Sequence, residues 1–188
     1  MLALTLLIIA ILLGDFFTGL FHWWEDQYCT KGLGGFLGTQ ICDPNLEHHE
    51  DQTKFIRETN LWRLNYTTWG LALIPLIIVI YLSVLYPWWT PELNTLALAI
   101  LIAAQGNQIH AWCHKKPTSK IVKLLQDMCL LQTPHQHARH HRPPFDRCYC
   151  TVTNWLNPPL DALGFWRRLE NIIRCISFGR IRSNRMVN

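Results

Sequence analysis

The sequence predicts an all-α integral membrane protein with about three transmembrane helices, room for a fourth partial one, and a histidine-rich cytoplasmic cap. Three observations predict it. Three long apolar runs occur, at about 1–21, 66–88 and 93–112. All 17 Lys and Arg lie outside them. All nine His lie at one end of a run or in the segments between and after the runs. The chain of 188 residues suits a single domain over 1–188, with no internal repeat or low-complexity linker.

The first run opens the chain. A secretory signal shows basic residues first and a small-x-small cleavage site after a short apolar core. Neither stands out in MLALTLLIIAILLGDFFTGLF, so a retained span is expected. Asp15 lies inside it. An ionisable residue within a span is costly and faces a protein interior. A buried hydrogen-bonding role, orienting a ligand histidine, is favoured over a place near the interface. The second run carries no charge for more than 20 residues, enough for a hydrocarbon core of about 30 Å. Pro87 and the Trp88-Trp89 pair mark a turn at an interface, where Trp is enriched. The third run turns polar in its last third, with Gln105, Asn107, Gln108 and His110.

Three spans put the segments 22–65 and 113–188 on one face. Four Lys and Arg fall in the first segment and 13 in the second, so the positive-inside rule places that face and the C-terminus in the cytoplasm. The net charge of +4 is too small a surplus to imply a nucleic-acid partner. The seven Cys are odd in number and lack framework spacing, and reduced thiols are expected throughout. Cys148-Tyr-Cys150 is half of a metal site with no second pair to complete it. Residues 119–132 read as an amphipathic surface helix. The basic stretch 166–185 suits either anionic headgroups or an acidic electron donor.

The histidine spacing points to metal. His110 and His114 share a helical face at i,i+4, as do His22 and Asp26, and His137 with His141. His140 lies at i,i+3 from His137. Adjacent His48 and His49 cannot point the same way on a helix; they serve two metals, or one ligand and one supporting group. Imidazole suits Zn, Cu, Fe and Ni. One zinc takes about four ligands, so this many histidines suit two ions with five to six ligands each, some from water. A haem held by two histidines is the rival within this pattern.

Five ordered blocks resemble one family: GDFFTGLFHWWED (14–26), EHHEDQTKFIRETN (47–60), GNQIHAWCH (106–114), HARHHRPPFDRCYCTVTNWLNPPLD (137–161) and GFWRRLE (164–170). They resemble the plasmanylethanolamine desaturase family of membrane lipid desaturases. A plant desaturase acting on the palmitate of phosphatidylglycerol shares the domain. The resemblance implies a non-haem site of two iron ions, with dioxygen as co-substrate. Its ligands would be His22, His48, His49, His110, His114, His137, His140 and His141. Asp26 and Asn60 match family positions, and Asp26, Asn60, His135, Asp15 and Asn107 are candidate ligands or supporting groups. Electrons would come from an external donor of the cytochrome b5 or ferredoxin type. The sequence departs from the family at Gln136, where a histidine is usual, and at Gln52, where proline is usual.

Chemistry agrees with that implication. Removing hydrogen from an unactivated carbon chain takes a strong oxidant, which two irons can make jointly from dioxygen. Neutral nitrogen ligands resist oxidation where thiolates do not. The expected reaction is conversion of the alkyl ether of plasmanylethanolamine to the vinyl ether of plasmalogen, by oxidoreduction of a membrane phospholipid or ether lipid substrate. Desaturation of a phospholipid acyl chain, hydroxylation, and haem or zinc binding without desaturation are the alternatives.

Overall fold

The computed structural model describes residues 1–52, 57, 60–115 and 119–184. Parts of the block 47–60 and the end of the basic stretch 166–185 lie outside the described residues. The described residues form helices, turns and loops without strands. Helix α1 (Leu2–Tyr28) and helix α3 (Leu61–Leu85) are each long and apolar enough to cross a membrane. Between them lies the short α2 (Asp43–Glu50). Helix α4 (Thr90–Ala103) runs into α5 (Gly106–Cys113), and α6 (Lys120–Asp127), α7 (Pro134–His137), α8 (Asn157–Ala162) and α9 (Phe165–Ile176) follow.

The first two expected spans correspond to α1 and α3, both longer than expected at the histidine end. The third, 93–112, is broken. Its helix stops at Ala103 and restarts at Gly106, at the point where Gln105 begins the polar third. Neither piece alone has the length of a span.

Close helix contact depends on small residues. A Cβ at Gly14 would meet the Ala99 carbonyl and the Ile102 side chain at 2.8 Å, so α1 and α4 approach backbone to side chain there. A Cβ at Gly19 would meet Cys150 Sγ at 2.6 Å. Helix α3 is mostly exposed, with Leu73, Ile74, Ile77, Ile78 and Tyr81 facing outward, as suits a helix bathed in lipid. Helix α1 is instead half-sheathed by α4 and by the C-terminal loop.

Asp15 explains how that loop is held. It is fully buried and accepts hydrogen bonds from Val152 N (2.9 Å), Thr153 N (3.1 Å) and Thr153 Oγ1 (2.5 Å). The expected buried hydrogen-bonding role is therefore observed, though its partners are loop groups and not a ligand histidine. Below it, Trp23, Tyr149, Cys150 and Trp166 form a core cluster that fixes α9 against α1.

One expectation is corrected. Cys29 and Cys42 form a disulfide, with Cα atoms 5.2 Å apart. The chain leaves α1, turns through Gly32, Gly34 and Gly35 at positive φ, and returns through a π-helical turn, Gly38–Cys42. That reversal brings the two cysteines together; a single pair among seven leaves no framework spacing to read. The staple ties the end of α1 to the start of α2, and both carry histidines. The other five cysteines are free. Cys148 donates to Asp161 Oδ2, and burial together with that carboxylate pushes its thiol up to about 12.

Candidate metal centre

Nine side chains gather into two groups. In the first, His48, His110, His114, His137 and His141 each offer one ligand atom, all within 4.8 Å of one another. In the second, His22, Asp26, His49 and His140 do the same. All eight family-implied histidines fall in one group or the other. Helix periodicity does part of the sorting. The i,i+4 pair His110/His114 enters the first group and His22/Asp26 the second, while His137 ends α7 and His141 joins the first group from the turn after it. Neighbouring His48 and His49 separate, one to each group, and so do His140 and His141.

The spacing within the first group is that of a coordination shell. His48 Nε2 lies 3.1 Å from His110 Nε2 and 3.2 Å from His141 Nε2, and His141 Nε2 lies 3.1 Å from His137 Nε2. Metal–imidazole bonds of about 2.0–2.1 Å at right angles put neighbouring nitrogens about 3 Å apart. One nitrogen is either donor or acceptor, with one direction for its hydrogen bond. A set of mutually adjacent Nε2 atoms is not satisfied by tautomers alone, and a shared cation satisfies it. Burial, followed by the neighbouring imidazoles, pushes His48 down to about 2 and holds His137 and His141 well below the usual histidine range. Burial likewise pushes His114 down to about 4. These rings stay neutral and keep a lone pair available for metal.

The second group has a carboxylate and a built support. Asp26 Oδ1 lies 3.0 Å from His49 Nε2 and accepts from Asn45 Nδ2 at 2.7 Å; its Oδ2 faces His140 Nε2 at 3.3 Å. His22 Nδ1 pairs with the Tyr149 carbonyl (3.2 Å) and His140 Nδ1 with the Arg147 carbonyl (2.9 Å). A carbonyl only accepts, so both rings carry the proton on Nδ1 and turn the Nε2 lone pair inward. Among the described residues His22 Nε2, His140 Nε2 and Asp26 Oδ2 are buried without a hydrogen-bond partner. Buried unsatisfied atoms converging on one point are what a cation accounts for.

The remaining candidates lie elsewhere. Asn60 caps α3, its Oδ1 accepting from Trp62 N and Arg63 N. His135 is exposed on α7, outside both groups. Gln136 completes a capping box with Thr133 at the start of α7, so the departure from histidine there serves a helix end. Gln52 is exposed. Asn107 donates to the Leu64 carbonyl at 2.9 Å and ties α5 to α3. Sequence reasoning missed Asn45 and the Arg147 and Tyr149 carbonyls. Backbone carbonyls leave no signal in residue identity, and nothing in the histidine pattern points to Asn45.

A cavity of about 310 Å³ leads to the metal groups. Its outer wall is apolar, with Leu71, Ala72, Pro75 and Ile100, and its inner end is lined by His22, His48 and His110. Glu25 and Asn45 also line it. The cavity thus runs from lipid-facing helices to both histidine groups.

Comparison with known proteins agrees. A lipid desaturase domain model matches residues 11–184. The chain is 33% identical over 185 residues to plasmanylethanolamine desaturase 1 of Mus musculus, covering 93% of this chain and 66% of that protein. It is 31% identical over 172 residues to the plasmanylethanolamine desaturase of Myxococcus xanthus, covering 89% and 60% respectively. It is 32% identical over 165 residues to the chloroplastic fatty acid desaturase 4 of Arabidopsis thaliana, covering 86% and 48%. The chain spans about two thirds or less of the length of these relatives. No solved structure matches it. With a family model spanning nearly its whole length, this chain belongs to the lipid desaturase domain family.

Proposed function

We propose that the chain is an iron- and dioxygen-dependent membrane desaturase that converts the alkyl ether of a plasmanylethanolamine-type lipid to a vinyl ether. Two irons are held, one by His48, His110, His114, His137 and His141, the other by His22, Asp26, His49 and His140. The single observation that carries this reading is the cavity: one apolar slot opens among membrane helices and ends at ligands of both groups. Imidazole nitrogens 3.1–3.2 Å apart leave no room for a haem plane between them, which favours bare ions.

The overall change balances as R–CH2–CH2–R′ + O2 + 2 e⁻ + 2 H⁺ → R–CH=CH–R′ + 2 H2O. When bound, the irons supply the activation of dioxygen; the protein supplies position. Leu71, Ala72 and Pro75 hold the chain in an apolar channel. Asp26 lowers the net charge of its group, and Asn45 fixes the carboxylate. The Tyr149 and Arg147 carbonyls aim His22 and His140. The site lies at the ends of α1 and α5, toward the membrane surface, where the bond beside an ether oxygen and the glycerol would sit. The asymmetry of Lys and Arg supports a cytoplasmic histidine end. An external one-electron donor supplies the reductant.

A second reading, desaturation of a phospholipid acyl chain, is favoured by the likeness to chloroplastic fatty acid desaturase 4. Expression in cells that contain alkyl ether phospholipids and a suitable donor, but no desaturase of this kind, separates the two. Acid-labile vinyl ethers formed by the intact chain, and not by His140→Ala, are expected. Iron-loaded protein without vinyl ethers, but with new double bonds in phosphatidylglycerol or other diacyl lipids, would establish the second reading.

A further inference from the structure

Behind the second metal group lies a polar cleft of about 310 Å³, lined by Arg139, Asp146, Arg147, Asp161, Gly164, Trp166 and Arg167. We infer that this cleft is the docking site of an acidic one-electron donor protein. The inference rests on the desaturase reading for its need of electrons, and on the cleft's own geometry for its place.

The cleft sits one hydrogen bond from a metal-group ligand. Arg147 forms its wall, and the Arg147 carbonyl holds His140 Nδ1 at 2.9 Å. Two residues on, the Tyr149 carbonyl holds His22 Nδ1. Trp166, at the cleft floor, packs against Tyr149 with ring centroids 5.0 Å apart. The 147–149 segment therefore faces the metal group on one side and the cleft on the other.

The charge of the cleft suits an acidic partner. Its two acids are already engaged: Asp161 accepts from Cys148 N and Sγ, and Asp146 pairs with Arg147 (3.3 Å) and Arg167 (3.6 Å). Arg139 is exposed, and its guanidinium makes no hydrogen bond or ion pair among the described residues. Beyond the cleft the surplus continues. All eight arginines from 139 to 182 are exposed, whereas the only acids in that stretch are Asp146, Asp161 and buried Glu170. Such a field speeds encounter with an acidic protein and fixes its orientation. Each docked donor gives one electron and leaves oxidised by one; two such visits supply the two electrons of the balanced reaction. Lipid occupies the apolar side of the molecule, so a soluble domain approaches from this polar end.

The test uses the iron-loaded chain in phosphatidylcholine nanodiscs, with two probes: the haem domain of a cytochrome b5 and a plant-type [2Fe–2S] ferredoxin, both acidic one-electron carriers. At low ionic strength at least one probe should bind, and its affinity should fall as salt rises. Arg139→Glu with Arg167→Glu should weaken binding at least tenfold; the Gln versions should fall between; Lys120→Glu, outside the cleft, should bind normally. Reduction of the irons by dithionite should be unchanged in every variant. Two results would overturn the inference: neither probe binding the intact chain, or the Glu variant binding as tightly as the intact chain. If the Glu variant instead loses only its adhesion to phosphatidylglycerol vesicles, the cleft is a lipid-headgroup surface and the docking proposal is wrong. Binding decides this point even for a chain that forms no double bond, so failure of the desaturase reading is seen separately.

Discussion

The two metal groups are built differently. The first is made of imidazoles alone, carried by α2, by α5 and the residue just past it, by the end of α7 and by the turn after it, and in contact with one another. The second has fewer histidines, adds the Asp26 carboxylate, and hangs three of its four members on named supports: Asn45 for Asp26, the Tyr149 carbonyl for His22, the Arg147 carbonyl for His140. Both groups draw on α2 and on the turn after α7, and each includes an i,i+4 pair; what sets the second apart is a carboxylate, with one amide and two backbone carbonyls aiming its members.

The largest effect that separates the groups should come from a ligand. Asp26→Ala should remove the metal of the second group and abolish desaturation, while the first group keeps its ion; metal analysis of purified protein checks this. Loss of both ions would mean the groups are not independent. Next comes Asp15→Ala, which leaves three buried donors unpaired. A cost of about 3 kcal/mol or more is expected from unsatisfied buried donors, read as a lower unfolding midpoint in detergent. Asn45→Ala should follow, weakening metal binding in the second group alone by about 10- to 100-fold, the range for groups that orient ligands. Smaller still, Asn60→Ala should cost about 1 kcal/mol, a lost helix cap, without changing metal content. His135→Ala should change neither.

Acid sharpens the same comparison. His48, His114, His137 and His141 are held neutral in the folded, metal-free protein, but take up protons near pH 6.5 when unfolded. Protons therefore favour unfolding. Stability should be flat above about pH 7.5 and fall as pH drops below about 6.5, by up to about 1.4 kcal/mol per pH unit per histidine. Thermal melts of the metal-free protein at pH 8, 6 and 5 check the sign. A staple of another kind is checked by thiol counting. Five alkylatable cysteines in denaturant, and seven after reduction, are expected. Seven before reduction would remove the tie between α1 and α2.

Much of this was legible in the residues. Apolar runs located α1 and α3, and i,i+4 spacing paired His110 with His114 and His137 with His141. The break at Ala104–Gln105 was visible only as a change in polarity, because the close passage of α4 against Gly14 is a property of packing. The division of His48 from His49 was left open by spacing and is resolved by three dimensions, as α2 presents the two rings to different neighbours. Spacing slightly favoured Asp26 as a support for His22 over a ligand; its Oδ2 lies buried 3.3 Å from His140 Nε2, among the atoms of the second group. The Cys29–Cys42 pair was unreadable, since loop reversal and not spacing brings it together.

The central claim is that the chain holds two separate iron ions. The most direct test is metal stoichiometry by elemental analysis of the intact chain, purified after iron supply, beside His114→Ala and Asp26→Ala. Two irons per intact chain, with each variant losing one, is the expected result. One ion per chain, or zinc in place of iron, would contradict it.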